Sequence, residues 1–489
     1  MRVSHSVSAD FDDPNLVSTA GLLPVMGLAE EAGLHELLAD RVSVPGSAGA
    51  NAAAKVPALV AGMVAGADSI ADLGLLRHGA MGRIFHGVRA PTTLGTHLRA
   101  YTFGHVRQLD AVASRFLTNL ASRVPGLVAG AETVAYLDVD DTIRETHGYA
   151  KQGTGYGYSG VRGLNAQLAT LSTPTAAPVI VGSRLRRGSA ASAHGATRLI
   201  AESLATVKRA GATGTITVRA DSAYYNRDVV AAALAGGARF SITARMDPAV
   251  TAAISRIPED AWTPIQYPNA IFDEDEGRWI SDAEVAEVPY TAFTSRKKAE
   301  HVSARLIVRR VRRLNPAGAR AGQDELLAVH RHHAVFTDSP LDMLAAEASH
   351  RDHAIVEQVI ADLKNGPLAH LPSGVFTANA AWLVCAAMAF NLTARPGSSP
   401  RTGTHGPARP RSAPSSSRCR PGSPTTPGNG GCTCPPPGPG RPPGRTSSTA
   451  PTRPLPLSPD AQTLTARART PSGKAGQTGG PRTPKTETR

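Results

Sequence analysis

The stretch TVAYLDVDDT, residues 133–142, marks the point at which helical patterns give way to strand-forming ones. Its aliphatic and aromatic residues predict a buried strand. Side chains alternate between the two faces of a strand, so Tyr136, Asp138 and Asp140 share one face. A carboxylate near the end of a buried strand is costly unless it is paired or bound to a metal. The stretch therefore predicts a core strand that carries a functional acid.

The residues that follow predict a mixed α/β fold with the element order β-β-β-α-β-α-β. The first three strands are expected to form an antiparallel meander. Asp221 falls at the end of the fourth strand, in VRADSAYY. After the first strand we predict strands at 164–173 and 177–186, a helix at 192–211, a strand at 214–225, a helix at 226–237 and a strand at 238–245.

Helix-spaced apolar residues fill the chain before this region and return after it. Arg99, His105 and Arg107 could dock on DNA, although a plain packing role for the helices is an equal alternative. We predict a helical N-terminal region at 1–130 that could bind DNA ends, a first catalytic part at 131–245, a β-rich insertion at 246–340, a catalytic continuation at 341–393 and a tail at 394–489.

The stretch HRDHAIVEQVIADLKNG, residues 350–366, predicts one helix with two stripes. At 100° per residue, His350, His353, Glu357 and Lys364 fall within about 60° of one another. The apolar residues between 355 and 363 lie on the other side, where they would pack on the sheet. The polar stripe predicts a functional face, although Glu357 and Lys364 alone could belong to a solvated surface.

One acid from the first strand, Asp221 and Glu357 together suggest a metal site. Carboxylate oxygens are natural ligands of hard cations such as Mg²⁺. Two such ions can activate an attacking oxygen on one side of a phosphate and stabilise the leaving oxygen on the other. Lys364 could bind a flanking phosphate, and His350 and His353 could contact the DNA backbone. Each acid alone would more often be a cap or a surface residue.

The formal charge of +13 is confined to the tail. Residues 395–489 hold 15 Lys+Arg and 2 Asp+Glu, which leaves 37 of each kind in residues 1–394. The tail also holds 21 of the 38 prolines and no Val, Ile, Phe, Tyr, Trp or Met. Such a segment cannot bury enough apolar surface to offset its conformational entropy, so we predict disorder.

Two origins of this tail remain open. It could be a native basic arm, or the gene could have shifted frame near codon 393, because wrong-frame translation of GC-rich DNA gives an Arg/Pro/Gly/Ala/Ser/Thr mixture. The abrupt change after the apolar helix at 378–392 favours the second origin. In that case Trp382, Leu383 and Phe390 should be partly uncovered.

Cysteines and apolar runs indicate a reducing cytoplasm and no membrane partner. Cys385 lies in an apolar run and is predicted to be core, and Cys419, Cys432 and Cys434 lie in the tail without a zinc-ligand spacing. The N-terminus lacks the apolar segment of a signal peptide. The apolar runs 56–66 and 380–391 are too short to span a bilayer.

Four stretches together resemble a known family: LDVDDT, KQGTGYGYSGVRGLNAQLAT, VRADSAYY and HRDHAIVEQVIADLKNGPLAHLPSG. The chain resembles bacterial insertion-sequence transposases of the DDE type, and it is most similar to actinobacterial members of the group-one DDE transposase domain. The resemblance spans roughly residues 10–393. It implies a ribonuclease-H-like mixed sheet flanked by helices, here with a β-rich insertion, a helical N-terminal region and a disordered tail.

The resemblance also implies roles for single residues. The first catalytic acid of the family lies in an Asp-x-Thr context after the first strand, so Asp140, followed by Asp141 and Thr142, matches it best and Asp138 is the alternative. The second acid matches Asp221, and the catalytic glutamate matches Glu357. Related transposases carry Tyr-x-x-Arg-x-x-x-Glu-x6-Lys around this glutamate. Here Lys364 keeps its spacing, His350 and His353 stand at the Tyr and Arg positions, and Arg351 could supply the missing guanidinium off the stripe.

The implied reaction is metal-dependent cleavage at transposon ends followed by joining to target DNA. The resemblance implies two Mg²⁺ ions, with Mn²⁺ able to substitute, held by Asp140, Asp221 and Glu357. The implied partners are inverted-repeat ends, target DNA and further copies of the chain, in a bacterial cytoplasm and at the nucleoid when DNA is bound. The alternatives are a nuclease of the same fold without strand transfer and a frameshifted, inactive DNA-binding remnant.

Overall fold

The computed structural model describes residues 15–148, 150–266, 272–273, 278–279, 283–312 and 330–394. The predicted tail at 394–489 lies outside these residues except for Ala394, so its predicted disorder stays a prediction. Within the described ranges, no helix is long and apolar enough to cross a membrane.

The chain begins with a group of helices that precedes the first strand. The longest of them starts at a reciprocal cap, in which the Thr102 side chain accepts from the backbone of His105 and the His105 side chain accepts from the Thr102 backbone. The helices are α1 (Leu22–Glu31), α2 (Leu34–Arg41), α3 (Gly46–Gly49), α4 (Ala52–Val64), α5 (Met81–Ile84), α6 (Pro91–Arg99) and α7 (Phe103–Arg123).

Three cations in this region were weighed as DNA contacts. Arg107 forms a salt bridge with Glu202 of a later helix, at 2.6 Å between Nη2 and Oε1. His105 is engaged in the cap with Thr102, and Arg99 is exposed. The pairing of Arg107 indicates packing of this helix against the rest of the protein.

A mixed sheet flanked by helices follows, which confirms the predicted fold class. The predicted order is observed with β2 added: β1 (Val134–Glu145), β2 (Gly155–Tyr156), β3 (Arg162–Ser172), β4 (Val179–Arg187), α8 (Ala196–Arg209), β5 (Thr215–Ala220), α9 (Arg227–Ala235) and β6 (Arg239–Thr243). Strand β1 pairs antiparallel with β3 and parallel with β5, and β6 continues parallel to β5. Strand β4 and the short β2 pair antiparallel with β3.

The β-rich region after β6 extends this same sheet. Its elements are α10 (Pro248–Ile254), β7 (Thr263–Ile265), the separate pair β8 (Phe272–Asp273) and β9 (Arg278–Trp279), β10 (Ala283–Ala292), β11 (Val302–Arg312) and β12 (His330–Thr337). Strand β12 pairs antiparallel with β6, and the further strands join antiparallel in the order β6-β12-β11-β10-β7.

The predicted single helix over 350–366 is wrong. Helix α11 (Met343–Arg351) ends before Glu357, a 3₁₀ turn occupies Asp352–Ala354, and α12 (Ile355–Lys364) begins after it. The tighter turn changes the angular relation between the two helices, so a count of 100° per residue does not carry across it. Helix α11 packs on β10 and β11, whereas α12 packs on β1.

Helix α13 (Phe376–Leu392) is a central element of the core. It packs against β4, α7, α4 and α6. Trp382 and Leu383 are fully buried and Phe390 is nearly so, which contradicts the partial exposure expected for them if the gene had shifted frame. Cys385 is buried as predicted, and burial raises the pKa of its thiol to about 12. A helix that is apolar on all sides is stable where all sides are covered.

Candidate active site

Asp140 and Asp221 are brought together by the parallel pairing of β1 and β5. The register pairs Val139 of β1 with Ala220 of β5, and Asp140 and Asp221 are the residues that directly follow these two. Asp221 has left the strand and caps a short 3₁₀ turn, where its Oδ1 accepts from the Ala223 amide at 3.0 Å. The end of β5 therefore delivers one carboxylate beside the carboxylate of β1.

Asp140 has an electrostatic environment that opposes its ionisation. Its pKa is raised to about 7, mainly by burial and further by the negative charges of Asp221, Asp141 and Glu357. The Asp141 amide donates to Asp140 Oδ1 at 2.7 Å and partly offsets this effect. Among the residues that the structure covers, no cation forms a salt bridge with Asp140, Asp221 or Glu357. A carboxylate in these surroundings favours a bound proton or a bound cation.

Asp138 does not belong to this cluster, and its assignment as the alternative metal ligand is corrected. Its carboxylate is fully buried and accepts from Arg219 at 2.6 Å (Nε to Oδ1) and 2.9 Å (Nη2 to Oδ2). Ser172 Oγ donates to Oδ2 at 2.9 Å. The Arg219 guanidinium also lies 4.0 Å from the ring centre of Tyr136. Asp138 therefore neutralises a buried arginine.

Asp141 points to the other face of β1 and is also paired. It accepts from Arg186, whose Nε and Nη2 also donate to Asn165 at 3.0 and 2.7 Å. Both ends of this salt bridge are buried. Asp138 and Asp141, which precede and follow the half-buried Asp140, are thus held by arginines, which fixes the backbone that carries Asp140.

Glu357 lies in the first turn of α12 and is exposed. Its charge raises the pKa of Asp140, so the two carboxylates are within electrostatic reach of each other. The buried residues Val356, Val359 and Ile360 fix the opposite side of the helix. The apolar stripe that was predicted to pack on the sheet thus turns Glu357 towards the acids.

Lys364, in the last turn of α12, lies within electrostatic reach of Asp140. Partial burial lowers the pKa of its ammonium and Arg144 lowers it further, whereas Asp140 raises it. The amine therefore lies near both an arginine and the acid cluster. Arg144 itself donates to the carbonyl of Ala369. Lys364 is therefore close to Asp140, and Arg144 is close to Lys364.

His350 is not on the functional face, and its predicted role in DNA contact is corrected. It is 4% exposed at the end of α11. Ser241 Oγ and Thr243 Oγ1, both on β6, lie 2.9 Å from its Nδ1 and Nε2. Burial, with nearby cations, holds the pKa of this imidazole well below its usual value. His350 is a neutral core residue that fastens α11 to β6.

His353 and Arg351 have separate environments. His353 Nδ1 lies 2.6 Å from the carbonyl oxygen of His350, and its charge lowers the pKa of Asp221, which places the ring near that acid. Arg351 pairs with Glu347 at 2.8 Å, one turn back on α11. The structure therefore brings His353 near Asp221, whereas Arg351 is engaged with Glu347 on its own helix.

Asp140, Asp221 and Glu357 have the charge that a divalent cation requires, but their side chains are not gathered closely around one point. Within the described chain, no group of three His, Cys, Asp or Glu side chains is close enough to enclose a metal ion. The donor set is nonetheless the oxygen-rich, anionic type that Mg²⁺ prefers. Burial raises the pKa of both Asp140 and Asp221, and a cation would relieve the repulsion between them.

One residue near the acids was missed by the sequence reasoning. Tyr158 lies in the glycine-rich segment between β1 and β3, and the residue is 78% exposed. Partial desolvation raises the pKa of its hydroxyl group, and the charges of Asp141, Asp140 and Asp221 raise it further. The segment was used only as part of the family resemblance. Two nearby tyrosines in a chain with 4% aromatic residues were the available signal.

Comparison with known proteins identifies the class to which this fold and site belong, the transposases. Residues 2–397 match the family model described as transposase DDE domain group 1. The match covers most of the 489 residues, so the chain belongs to that family, as the sequence motifs predicted. No curated protein matches the chain.

One similar solved structure is a cryo-EM structure of the piggyBac transposase synaptic complex with hairpin DNA. The two chains are 10% identical, and the matched part covers 71% of this chain and 68% of that one, with a TM-score of 0.31.

Proposed function

We propose that this protein is a DNA transposase that cleaves the ends of an insertion sequence and joins them to target DNA. The reaction would be phosphodiester hydrolysis followed by transesterification. The observation that carries the proposal is the environment of Asp140. This acid lies on β1 beside Asp221, which directly follows the parallel strand β5. The pKa of Asp140 is raised to about 7, and the charge of Glu357 on α12 contributes to this shift. Perturbed acids that converge from separate elements are a mark of functional sites.

Asp140, Asp221 and Glu357 are the residues that would hold the metal, two Mg²⁺ ions with Mn²⁺ as a substitute. When bound, such ions activate an attacking oxygen and stabilise the leaving oxygen of the phosphate. The strand order β4-β3-β1-β5-β6 supports a ribonuclease-H-like core, because it puts the first acid on the central strand and the second on its parallel neighbour. The domain division stays as proposed from the sequence.

The remaining residues near the acids would position the DNA. Lys364 is a half-buried cation beside Asp140 and would bind a phosphate that flanks the scissile one. His353 lies near Asp221 and would contact the backbone or the leaving group. Arg144, near Lys364, adds a further positive charge. Cations next to a carboxylate cluster allow a polyanion to approach acids that would otherwise repel it.

The partners would be the inverted-repeat ends, target DNA and further copies of the chain in a DNA complex. The site of action would be a bacterial cytoplasm, with the protein at the nucleoid when DNA is bound. Two alternatives share part of this description. A nuclease of the same fold would cleave without joining, and an inactive remnant would bind without cleaving.

The test uses the full chain, a duplex that carries the element's end, and a supercoiled target. Asp140→Asn, Asp221→Asn and Glu357→Gln should each abolish strand cleavage with Mg²⁺ and keep end binding. Glu132→Gln is the matched control, because this exposed acid precedes the opposite end of β1. Persistent cleavage by the Asp221 variant would overturn the assignment. Cleavage without joining by the wild type would indicate the nuclease, and binding alone the remnant.

A further inference from the structure

The segment between β1 and β3 holds two exposed aromatic rings close to the acids. Tyr156 is 68% exposed and Tyr158 is 78% exposed, and Val161 beside them is also exposed. In the part of the chain that is described, these three make up a third of the large apolar side chains that are exposed. Exposed aromatic residues that cluster on one short segment indicate a contact surface.

The segment is fastened to its surroundings, so the rings are held in place. The Gln152 amide donates to the Gly374 carbonyl at 2.9 Å, and the Gly188 amide donates to the Gly153 carbonyl at 3.1 Å. A Cβ atom at Gly157 would lie 2.6 Å from the Gly188 carbonyl oxygen, so only glycine allows this close approach. The two tyrosines therefore stand on an anchored loop.

Its anchor point fixes the distance to the acids. A Cβ atom at Gly157 would also contact Ile143 of β1, at 3.4 Å from Cδ1. Ile143 is three residues beyond Asp140, which is about 10 Å along a strand. Tyr158 is the residue after Gly157. The negative charges of Asp141, Asp140 and Asp221 also raise the pKa of the Tyr158 hydroxyl, which agrees with this placement.

We propose that Tyr156 and Tyr158 form a stacking platform for an unpaired nucleobase next to the scissile phosphate. This inference rests on the proposed function, because the DNA strand must pass the acids to be cleaved. Aromatic rings stack on bases irrespective of sequence. Inside a duplex both faces of a base are covered by its neighbours, so the occupant is a base that has left the stack.

The charges around the platform favour this occupant over an anion or an acidic peptide. As long as no cation is bound, the acids near Tyr158 repel an anionic group at the rings themselves, whereas an aromatic base carries no charge. The exposed Arg187 of β4 lies opposite Leu164 of β3 and can neutralise a backbone phosphate beside the base. Arg162, opposite Tyr156 in the β2–β3 pairing, donates to the Gly148 carbonyl at 2.6 Å.

The experiment combines protein variants with modified DNA. The duplex carries 2-aminopurine in turn at each nucleotide that flanks the cleavage junction, and binding to the full chain is measured in EDTA so that cleavage is not needed. At one position, the fluorescence of 2-aminopurine should be quenched when the wild type or the double variant Tyr156→Phe/Tyr158→Phe binds. It should stay unquenched when Tyr156→Leu/Tyr158→Leu binds. Phe103→Leu is the control, because Phe103 is equally exposed, at 67%, on α7.

An abasic nucleotide at the quenched position completes the test. The leucine variant should bind intact DNA about 5- to 100-fold more weakly than the wild type, and the two should bind abasic DNA equally. Equal losses on both DNAs, or no quenched position, would overturn the platform. A change in the oligomeric state of DNA-free protein would assign the rings to a second copy instead. Failure of the proposed function would appear separately, as a wild type that does not cleave with Mg²⁺.

Discussion

Asp138 and Arg219 form a buried ion pair with two contacts, 2.6 Å from Nε to Oδ1 and 2.9 Å from Nη2 to Oδ2, next to the acids of the proposed metal site. The register of β1 and β5 pairs Asp138 with Arg219. Asp140 comes two residues after Asp138, and Asp221 comes two residues after Arg219. The carboxylate of Asp138 is thus neutralised within the protein by Arg219. Asp140 and Asp221 form no salt bridge in the described part of the chain, and the proposed function assigns them a cation.

We predict that Asp138→Ala lowers stability and leaves Arg219 without its partner. Removal of one member of a buried ion pair typically costs about 3–5 kcal/mol. The measurement is the free energy of unfolding in urea. Asp140→Ala is the matched comparison on the same face of β1 and should be neutral or stabilising, because its carboxylate has no salt bridge to lose. A stable Asp138→Ala protein that has lost only cleavage would contradict this division of roles.

The sequence predicts the strands well, because they depend on local patterns, whereas the roles of the three acids stay a prediction. Alternation on β1 indicates a buried strand, and the order of elements follows from periodicity and turn residues. It could not separate Asp138 from Asp140, since both lie on one face and only the pairing with Arg219 distinguishes them. The burial of His350 depends on β6, which is distant in sequence, and on a 3₁₀ turn that no helical count reveals.

Asp140→Asn should stabilise the protein at pH 8 and have no effect at pH 4. The pKa of Asp140 is raised from 3.8 to about 7 on folding, so its ionisation costs the folded state stability as the pH rises through this interval. Removal of the charge should recover about 1–3 kcal/mol above pH 7. Melting temperatures across this pH range, with and without Mg²⁺, provide the measurement.

Added Mg²⁺ should raise the melting temperature of the wild type at pH 8 and should have little effect on Asp140→Asn, because a ligand stabilises only the state that binds it. Glu132→Gln should respond to Mg²⁺ like the wild type. An equal Mg²⁺ response in wild type and Asp140→Asn would remove Asp140 from the set of metal ligands.

Lys364→Ala should weaken DNA binding and reduce its dependence on salt. Each phosphate that a cation neutralises releases about one counterion, so the slope of log affinity against log salt should fall by roughly 1. Fluorescence anisotropy with a labelled end duplex from 50 to 300 mM salt, values near physiological ionic strength, would measure it. Lys208→Ala is the control, because this lysine on α8 bonds the Gly236 carbonyl at 2.7 Å. An unchanged slope would identify Lys364 as a solvated helix residue.

His350→Gln should make the protein less sensitive to acid and leave the salt slope of DNA binding unchanged. The pKa of His350 is lowered in the folded state, so stability is fully present above pH 6.5 and is lost as the pH falls below that value. Glutamine keeps hydrogen-bonding groups for Ser241 and Thr243 but does not titrate. Unfolding free energies at pH 5 and pH 8 test this. An altered salt slope would return His350 to the DNA surface.

The last prediction concerns residues 395–489, which are either a native basic arm or the product of a frameshift. The family match ends at residue 397, and helix α13 before it is covered by β4, α7, α4 and α6. A chain that stops at residue 397 should therefore keep the melting temperature of the full protein. Its non-specific DNA affinity should fall, because the removed part carries 15 Lys+Arg against 2 Asp+Glu.

End cleavage then decides what this segment is. If it is a frameshift product, its removal should leave metal-dependent cleavage unchanged, and the neighbouring reading frame after codon 393 should encode apolar residues at helical spacing. Restoring that frame should raise activity and solubility. If the segment is a native basic arm, the neighbouring frame should be closed by early stops, and its removal should weaken end binding at low salt more than at high salt. A shortened chain that unfolds would contradict both accounts, because it would show that the covering of α13 is insufficient on its own.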